Sequence, residues 1–274
     1  MSWNNDTSVA ESLAVMMQKE RSVYKSCDYL NGTSGIHGVI NEEDRTKMVD
    51  WCYSVVDICQ LDRETVAVAM DMVDRFPSKS NSSDVIMDVR RDRFQFQLLT
   101  ITALYVSIKI TMKDALGSDF FASISRELYP VQEIEAMELI LLQELSWHIS
   151  VPTYVQMARH ILTLVSIHAH VTFEQTKWAA ILDEVEYQAE LAVRDYHFVT
   201  QRPSTVAVAA ILNLADRFSK DESQAFVRAI LSVMDNAEFE FEAIEVIIAT
   251  RNKLYSVVYG HDYTGDGHDN QVID

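Results

Sequence analysis

FQLLTITALYVSIK, residues 96–109, is apolar almost throughout and ends on a lysine. Leu98, Ile101, Tyr105 and Ile108 recur at helical spacing, so the run reads as a helix that starts near Phe94. Its one charge, Lys109, sits on the flank of that apolar stripe, where an unpaired ammonium is costly to bury. A second run, EAMELILLQEL at 135–145, is interrupted in the same way by Glu138, four residues after Ile134 and three before Leu141. Spacing alone leaves two explanations open. Each charge reaches solvent at the edge of its helix, or the two pair with each other or with groups on a partner.

Helical periodicity extends outward from these runs over most of the chain. A first amphipathic stretch covers 8–30, with Leu13, Met16, Met17, Val23 and Tyr24, and NGTSGIHG at 31–38 breaks it. A helix from Glu42 to Cys59 carries Met48, Trp51, Cys52 and Val55. The next starts near Asp62, an N-cap residue type, and stops before Pro77. The segment 77–93, PSKSNSSDVIMDVRRDR, lacks periodicity and reads as a loop. A short helix is expected over 118–127, and Pro130 opens another with Ile134, Met137, Leu141 and Leu145. That makes five helices between 42 and 147.

SVPT, 150–153, reads as a boundary. Beyond it five more helices are expected: Tyr154–Val165, Phe173–Tyr196, Pro203–Phe218, Asp221–Met234 and Phe239–Tyr259. The expected organisation is a leading helix and loop over 1–41, bundles over 42–149 and 150–259, and a disordered tail over 260–274. Asp262, Thr264, Asp266 and Gly267 in that tail imitate the start of a calcium loop but lack its closing glutamate.

Seven glycines and four prolines in 274 residues argue against an all-β fold. No run of 18 apolar residues indicates a membrane span, and the N-terminus lacks the pattern of a signal peptide. A location in the nucleus or cytoplasm is therefore expected. With 23 basic and 41 acidic residues, the net charge of −18 disfavours contact with nucleic acid or anionic membranes and favours a basic partner surface. Cys27, Cys52 and Cys59 fit free thiols, and no cysteine or histidine set has metal-ligand spacing. No metal, cofactor or catalytic residue is expected, because no phosphate loop, nucleophile motif or acid–base cluster is present.

Four stretches then carry a family resemblance: RTKMVDW at 45–51, MDMVDRF at 70–76, FQLLTITALYVSIK at 96–109 and MELILLQELSWHISVPT at 137–153. Together they resemble the first helical box of a cyclin. Arg45, Asp74, Leu98, Lys109 and Glu138 fall on the signature positions, with 29 residues separating each of the pairs Arg45/Asp74 and Lys109/Glu138. RPSTVAVAAILNLA at 202–215 resembles the second box more loosely. The resemblance covers roughly 20–258 and implies an all-α fold of two tandem five-helix cyclin boxes preceded by an N-terminal helix.

It also implies roles. Arg45 and Asp74 would form a structural ion pair between the first two helices of the box. Lys109 and Glu138 would lie side by side and bind backbone near the regulatory helix of a cyclin-dependent protein kinase, with which the chain would form a heterodimer. Ile110, Leu142, Trp147 and Ile149 would form the apolar pocket for that helix. The substrate-docking patch of the family would use Arg45, Met48, Trp51 and Gln97. Here Asp44 and Lys47 replace apolar positions and Ser54 stands where an acidic residue is usual, so the patch reads as degenerate. Thr111 and Met112 replace the paired glutamates that many cyclins carry after the lysine. RAILSVMDN at 228–236 resembles a destruction box but lies on a helix with an apolar stripe, which favours a core role. The function implied is kinase activation in cell-cycle control, with kinase substrates as further partners. The rival readings are a non-catalytic helical scaffold and a transcription-related cyclin-like adaptor.

Overall fold

The structure, a computed structural model, describes residues 3–31, 40–79, 83–112, 116–168 and 173–260. All but Gly260 of the expected tail at 260–274, and most of the 31–38 loop, lie outside the described residues. Among the described residues the chain is all helix, with no strand. The first half contains α1 (Trp3–Ser22), α2 (Glu42–Ile58), α3 (Glu64–Arg75), α4 (Asp84–Arg91), α5 (Arg93–Thr111), α6 (Ser118–Ile124) and α7 (Val131–Glu144). The second contains α8 (Tyr154–His168), α9 (Gln175–Arg194), α10 (Pro203–Leu214), α11 (Lys220–Met234) and α12 (Ile244–Tyr259). Among the described residues, no helix is long and apolar enough to cross a membrane.

Each bundle is wrapped around a helix that is apolar on all sides. Phe96 and every residue from Leu98 to Ile108 are buried on α5, which packs against α2, α3, α4, α6 and α7. Thr100 Oγ1 donates to the Phe96 carbonyl and Ser107 Oγ to the Thr65 carbonyl, while the buried Thr102 hydroxyl has no hydrogen-bond partner among the described residues. In the second bundle α10 has the same place. Pro203 opens it, residues Ser204–Leu214 are all buried, and α8, α9 and α12 surround it. The sequence RAILSVMDN falls on α11 and its end, with Ile230 and Val233 in the second core.

Three departures from the sequence reading have physical causes. The segment 77–93 is not all loop. Ser83 caps α4, and Ile86 and Val89 bury one side of it against α5. An eight-residue helix with two buried apolar positions leaves too little periodicity to read.

The first helix ends at Ser22 rather than near residue 30. From there the chain finds tertiary partners in place of helical ones. The Cys27 N–H donates to Ser78 Oγ, and the Tyr29 and Leu30 N–H groups both donate to the Tyr196 hydroxyl.

Finally, α1 belongs physically to the second bundle. Leu13 and Met17 enter its core, and α1 packs on α8. Glu20, 2% exposed, accepts hydrogen bonds from Ser204 N–H at 2.9 Å and Ser204 Oγ at 2.5 Å, so α1 caps the start of α10. Burial raises the Glu20 carboxyl above its ordinary range against these hydrogen bonds. Glu20→Ala leaves both Ser204 donors buried without a partner and is expected to cost about 1–3 kcal/mol in urea unfolding. A change indistinguishable from zero would show that α1 is held by its apolar contacts alone.

Candidate functional site

Lys109 stands in the last turn of α5, and Glu138 in the middle of α7, which packs along α5. Ile134, Met137, Leu141 and Leu142 are the buried face of α7, which leaves Glu138 at the margin of that face. The structure brings the two charges together: Lys109 Nζ lies 2.8 Å from Glu138 Oε1 and 5.0 Å from the centre of the Tyr105 ring. The hydrogen bond that Lys109 donates to Glu138 raises its ammonium above the ordinary range. The lysine side chain is 47% exposed and the glutamate 15%, so the pair is at the rim of the core.

The chain after α7 then turns back. Ser146 and Trp147 have φ of 50° and 62°, the left-handed region, where a non-glycine residue costs about 1–2 kcal/mol. The turn is fixed by Ser146 N–H donating to the Gln143 carbonyl and Trp147 N–H to the Leu142 carbonyl. It leaves the Trp147 ring 64% exposed, although a buried position would release far more water.

Between these elements lies a recess of about 390 Å³. Lys109, Glu138, Ile110, Leu142, Trp147 and Ile149, the six residues singled out in the sequence, all line it. Val106, Glu135 and Leu139 complete the wall. Leu139 follows Glu138 directly and is 52% exposed, and Glu135 is one turn before it, so helical spacing from Glu138 could have found Glu135. An apolar trough with a polar pair at its lip and an exposed tryptophan beside it has the chemistry to seat an amphipathic helix.

Arg45 and Asp74 do not line this recess. They pair on α2 and α3, Nε to Oδ1 and Nη2 to Oδ2, both at 2.8 Å. Arg45 Nη1 donates to the Val193 carbonyl at 2.9 Å, and the Tyr29 hydroxyl donates to Asp74 Oδ1 at 2.9 Å. The pair therefore joins α2, α3, the α1–α2 connection and α9 at the seam between the bundles. Burial of Arg45 is countered by Asp74, which holds the guanidinium raised.

These contacts also take Arg45 away from the docking patch suggested by the sequence. Arg45 is 2% exposed and Met48 is buried, while Trp51 and Gln97 are half-buried. Gln97 Oε1 accepts from the Tyr129 hydroxyl at 3.1 Å. Asp44 completes the capping box of α2 with Asn41 and pairs with Arg93 at 3.0 Å, so a charged pair stands at this edge of α2. A peptide carrying an arginine–leucine motif is expected to show no saturable, Trp51-dependent binding. Fluorescence anisotropy with the full chain and Trp51→Ala checks this, and tight binding lost in the variant would refute it.

Among the described residues no group of histidine, cysteine or acidic side chains has the arrangement of a metal site, and Cys27, Cys52 and Cys59 are free.

Residues 11–150 match the family Cyclin, N-terminal domain. The chain is 29% identical over 175 residues to G2/mitotic-specific cyclin-A1 of Caenorhabditis elegans, covering 64% of this chain and 32% of that protein. It is 30% identical over 275 aligned positions to Cyclin-B1-4 of Arabidopsis thaliana, covering 93% of this chain and 64% of that protein. The chain thus spans about a third to two thirds of the length of these curated relatives. Its fold resembles a viral cyclin from herpesvirus saimiri, with a TM-score of 0.54 at 12% identity over 84% of this chain and 98% of that one. It also resembles a chain of the CAK complex of Chaetomium thermophilum bound to ATP-gamma-S, with a TM-score of 0.51 at 17% identity over 93% of this chain and 75% of that one.

Proposed function

The chain belongs to the cyclin family, and on that premise we propose that it is a non-catalytic regulatory subunit that binds a cyclin-dependent protein kinase and activates it. In this reading the Lys109–Glu138 recess receives the regulatory helix of the kinase. The observation that carries it is the coincidence, in one recess, of a rim ion pair, an apolar wall and a tryptophan held exposed by a left-handed turn. Ile110, Leu142, Trp147 and Ile149 supply most of the affinity, and the pair fixes the orientation of the bound helix.

Activation then follows from what kinases require. A strand lysine and a glutamate on the regulatory helix must pair before phosphoryl transfer is efficient. A binder that prefers the inward position of that helix shifts the population toward it. Moving the equilibrium from about 1:99 to 99:1 takes roughly 5.5 kcal/mol of differential affinity, within the reach of a standard-size interface. The setting we propose is cell-cycle control in the nucleus and cytoplasm, with kinase substrates as secondary partners and no contact with nucleic acid or membrane.

Reconstitution tests the reading. The full chain is mixed with each of a panel of recombinant cyclin-dependent kinases that are inactive alone, and phosphate transfer to a peptide is measured. Stimulation of at least one kinase is the expected result. Failure of every kinase to bind or respond would remove the proposal.

A further inference from the structure

Among the described residues, the recess holds one charge that the Lys109–Glu138 pair does not cancel. Glu135 precedes Glu138 by one turn on α7 and lines the same wall. Its carboxylate accepts a hydrogen bond from the Ser118 hydroxyl at 3.0 Å, and among the described residues no cation is paired with it. Lys109, the one cation among the described residues that line the recess, is already engaged by Glu138 at 2.8 Å. The α5 edge is different in kind. Ile110 and Met112 are exposed there, and the Thr111 hydroxyl turns back onto the Ser107 carbonyl at 2.8 Å. Beyond Lys109, the described residues of this edge offer neither a second charge nor a free hydroxyl, while the α7 edge offers a carboxylate.

We infer that the kinase helix received by this recess carries a basic side chain against Glu135 and an apolar side chain against Ile110. The inference rests on the reading of the recess as the kinase-binding site. A helix laid over the recess strips water from Glu135. A lysine or arginine opposite restores what is lost, and an acidic residue there is repelled. Glu135 thereby selects among kinases as well as binding one, since like-charge contact excludes helices of the wrong polarity. Ile110 acts in the same sense, because a charged residue placed against its side chain is desolvated without gaining a partner from it.

Titration calorimetry of the full chain with the recombinant kinase panel tests this, using wild type, Glu135→Gln, Glu135→Lys and Glu138→Ala. Circular dichroism confirms that the exposed substitutions leave the fold intact. For the kinase that binds tightest, Glu135→Gln is expected to weaken binding about threefold. It should also flatten the dependence of Kd on salt. Glu135→Lys is expected to weaken binding by at least about tenfold. Replacing the facing basic residue of the kinase by glutamate should recover binding to Glu135→Lys. If both Glu135 variants bind like wild type with an unchanged salt dependence, while Glu138→Ala binds weakly, the inference is wrong and the binding site stands. If Glu138→Ala also binds like wild type, or no kinase binds the wild-type chain, both are overturned.

Discussion

Lys109→Glu is expected to abolish capture of the kinase while leaving helix content unchanged, and Glu138→Ala to weaken it nearly as far. Reversing the lysine sets two carboxylates where the ammonium now lies 2.8 Å from Glu138, at the lip of an apolar recess. A docked helix removes water from that lip, so the repulsion is felt in the complex far more than in the free chain. Truncating one member of a hydrogen-bonded charge pair in such an interface costs about 2–5 kcal/mol, roughly thirtyfold to several thousandfold in Kd. The free fold is spared because neither side chain is part of the core. Ile134, Met137 and Leu141 anchor α7, Tyr105 and Ile108 anchor the end of α5, and all five are buried. Titration of a recombinant kinase against both variants, with circular dichroism alongside, checks the outcome. Undiminished affinity in both would mean that the pair has no part in binding.

Asp74→Ala is expected to destabilise the chain by about 3–5 kcal/mol, a cost set by what it strands. Arg45 is 2% exposed and directs Nε and Nη2 at the lost carboxylate, so the substitution leaves a buried guanidinium with its carbonyl contacts and the Tyr196 ring but no counter-charge. It also releases the Tyr29 hydroxyl and with it part of the chain that crosses the seam. Against a total stability of about 5–15 kcal/mol for an ordinary domain, the loss should shift the urea midpoint strongly. Replacing both partners, Arg45→Met with Asp74→Leu, removes the charges together and should recover much of the loss, since a buried pair is not intrinsically more stable than a packed apolar one. A single-variant loss below about 1 kcal/mol would show that water reaches Arg45 in the folded chain.

Much of the architecture was legible because helices are written in local periodicity. The stripes of α2, α3, α5 and α7 to α12 are all present in the order of residues. So is the contrast between α5 or α10, apolar all round, and their amphipathic neighbours. Where periodicity is thin, the reading failed. α4 buries only Ile86 and Val89, and the end of α1 is decided by Tyr196, which takes the Tyr29 and Leu30 N–H groups from more than 160 residues away.

The site divides in the same way. Lys109, Ile110, Glu138, Leu142, Trp147 and Ile149 were identifiable from residue types and spacing against the family pattern, because that pattern is a linear one. Glu135 lies one turn from Glu138 and was within reach of helical spacing, whereas Leu139 belongs to the site only because the recess wall runs along that face of α7. The sequence by itself determined the helices, their apolar faces and which charges stood on them. The tertiary structure alone decided that Lys109 and Glu138 meet at a rim while Arg45 and Asp74 meet in the interior, though each pair is separated by the same 29 residues. Burial and electrostatic environment depend on the packing of neighbouring helices, and that information is not carried by spacing along a single chain.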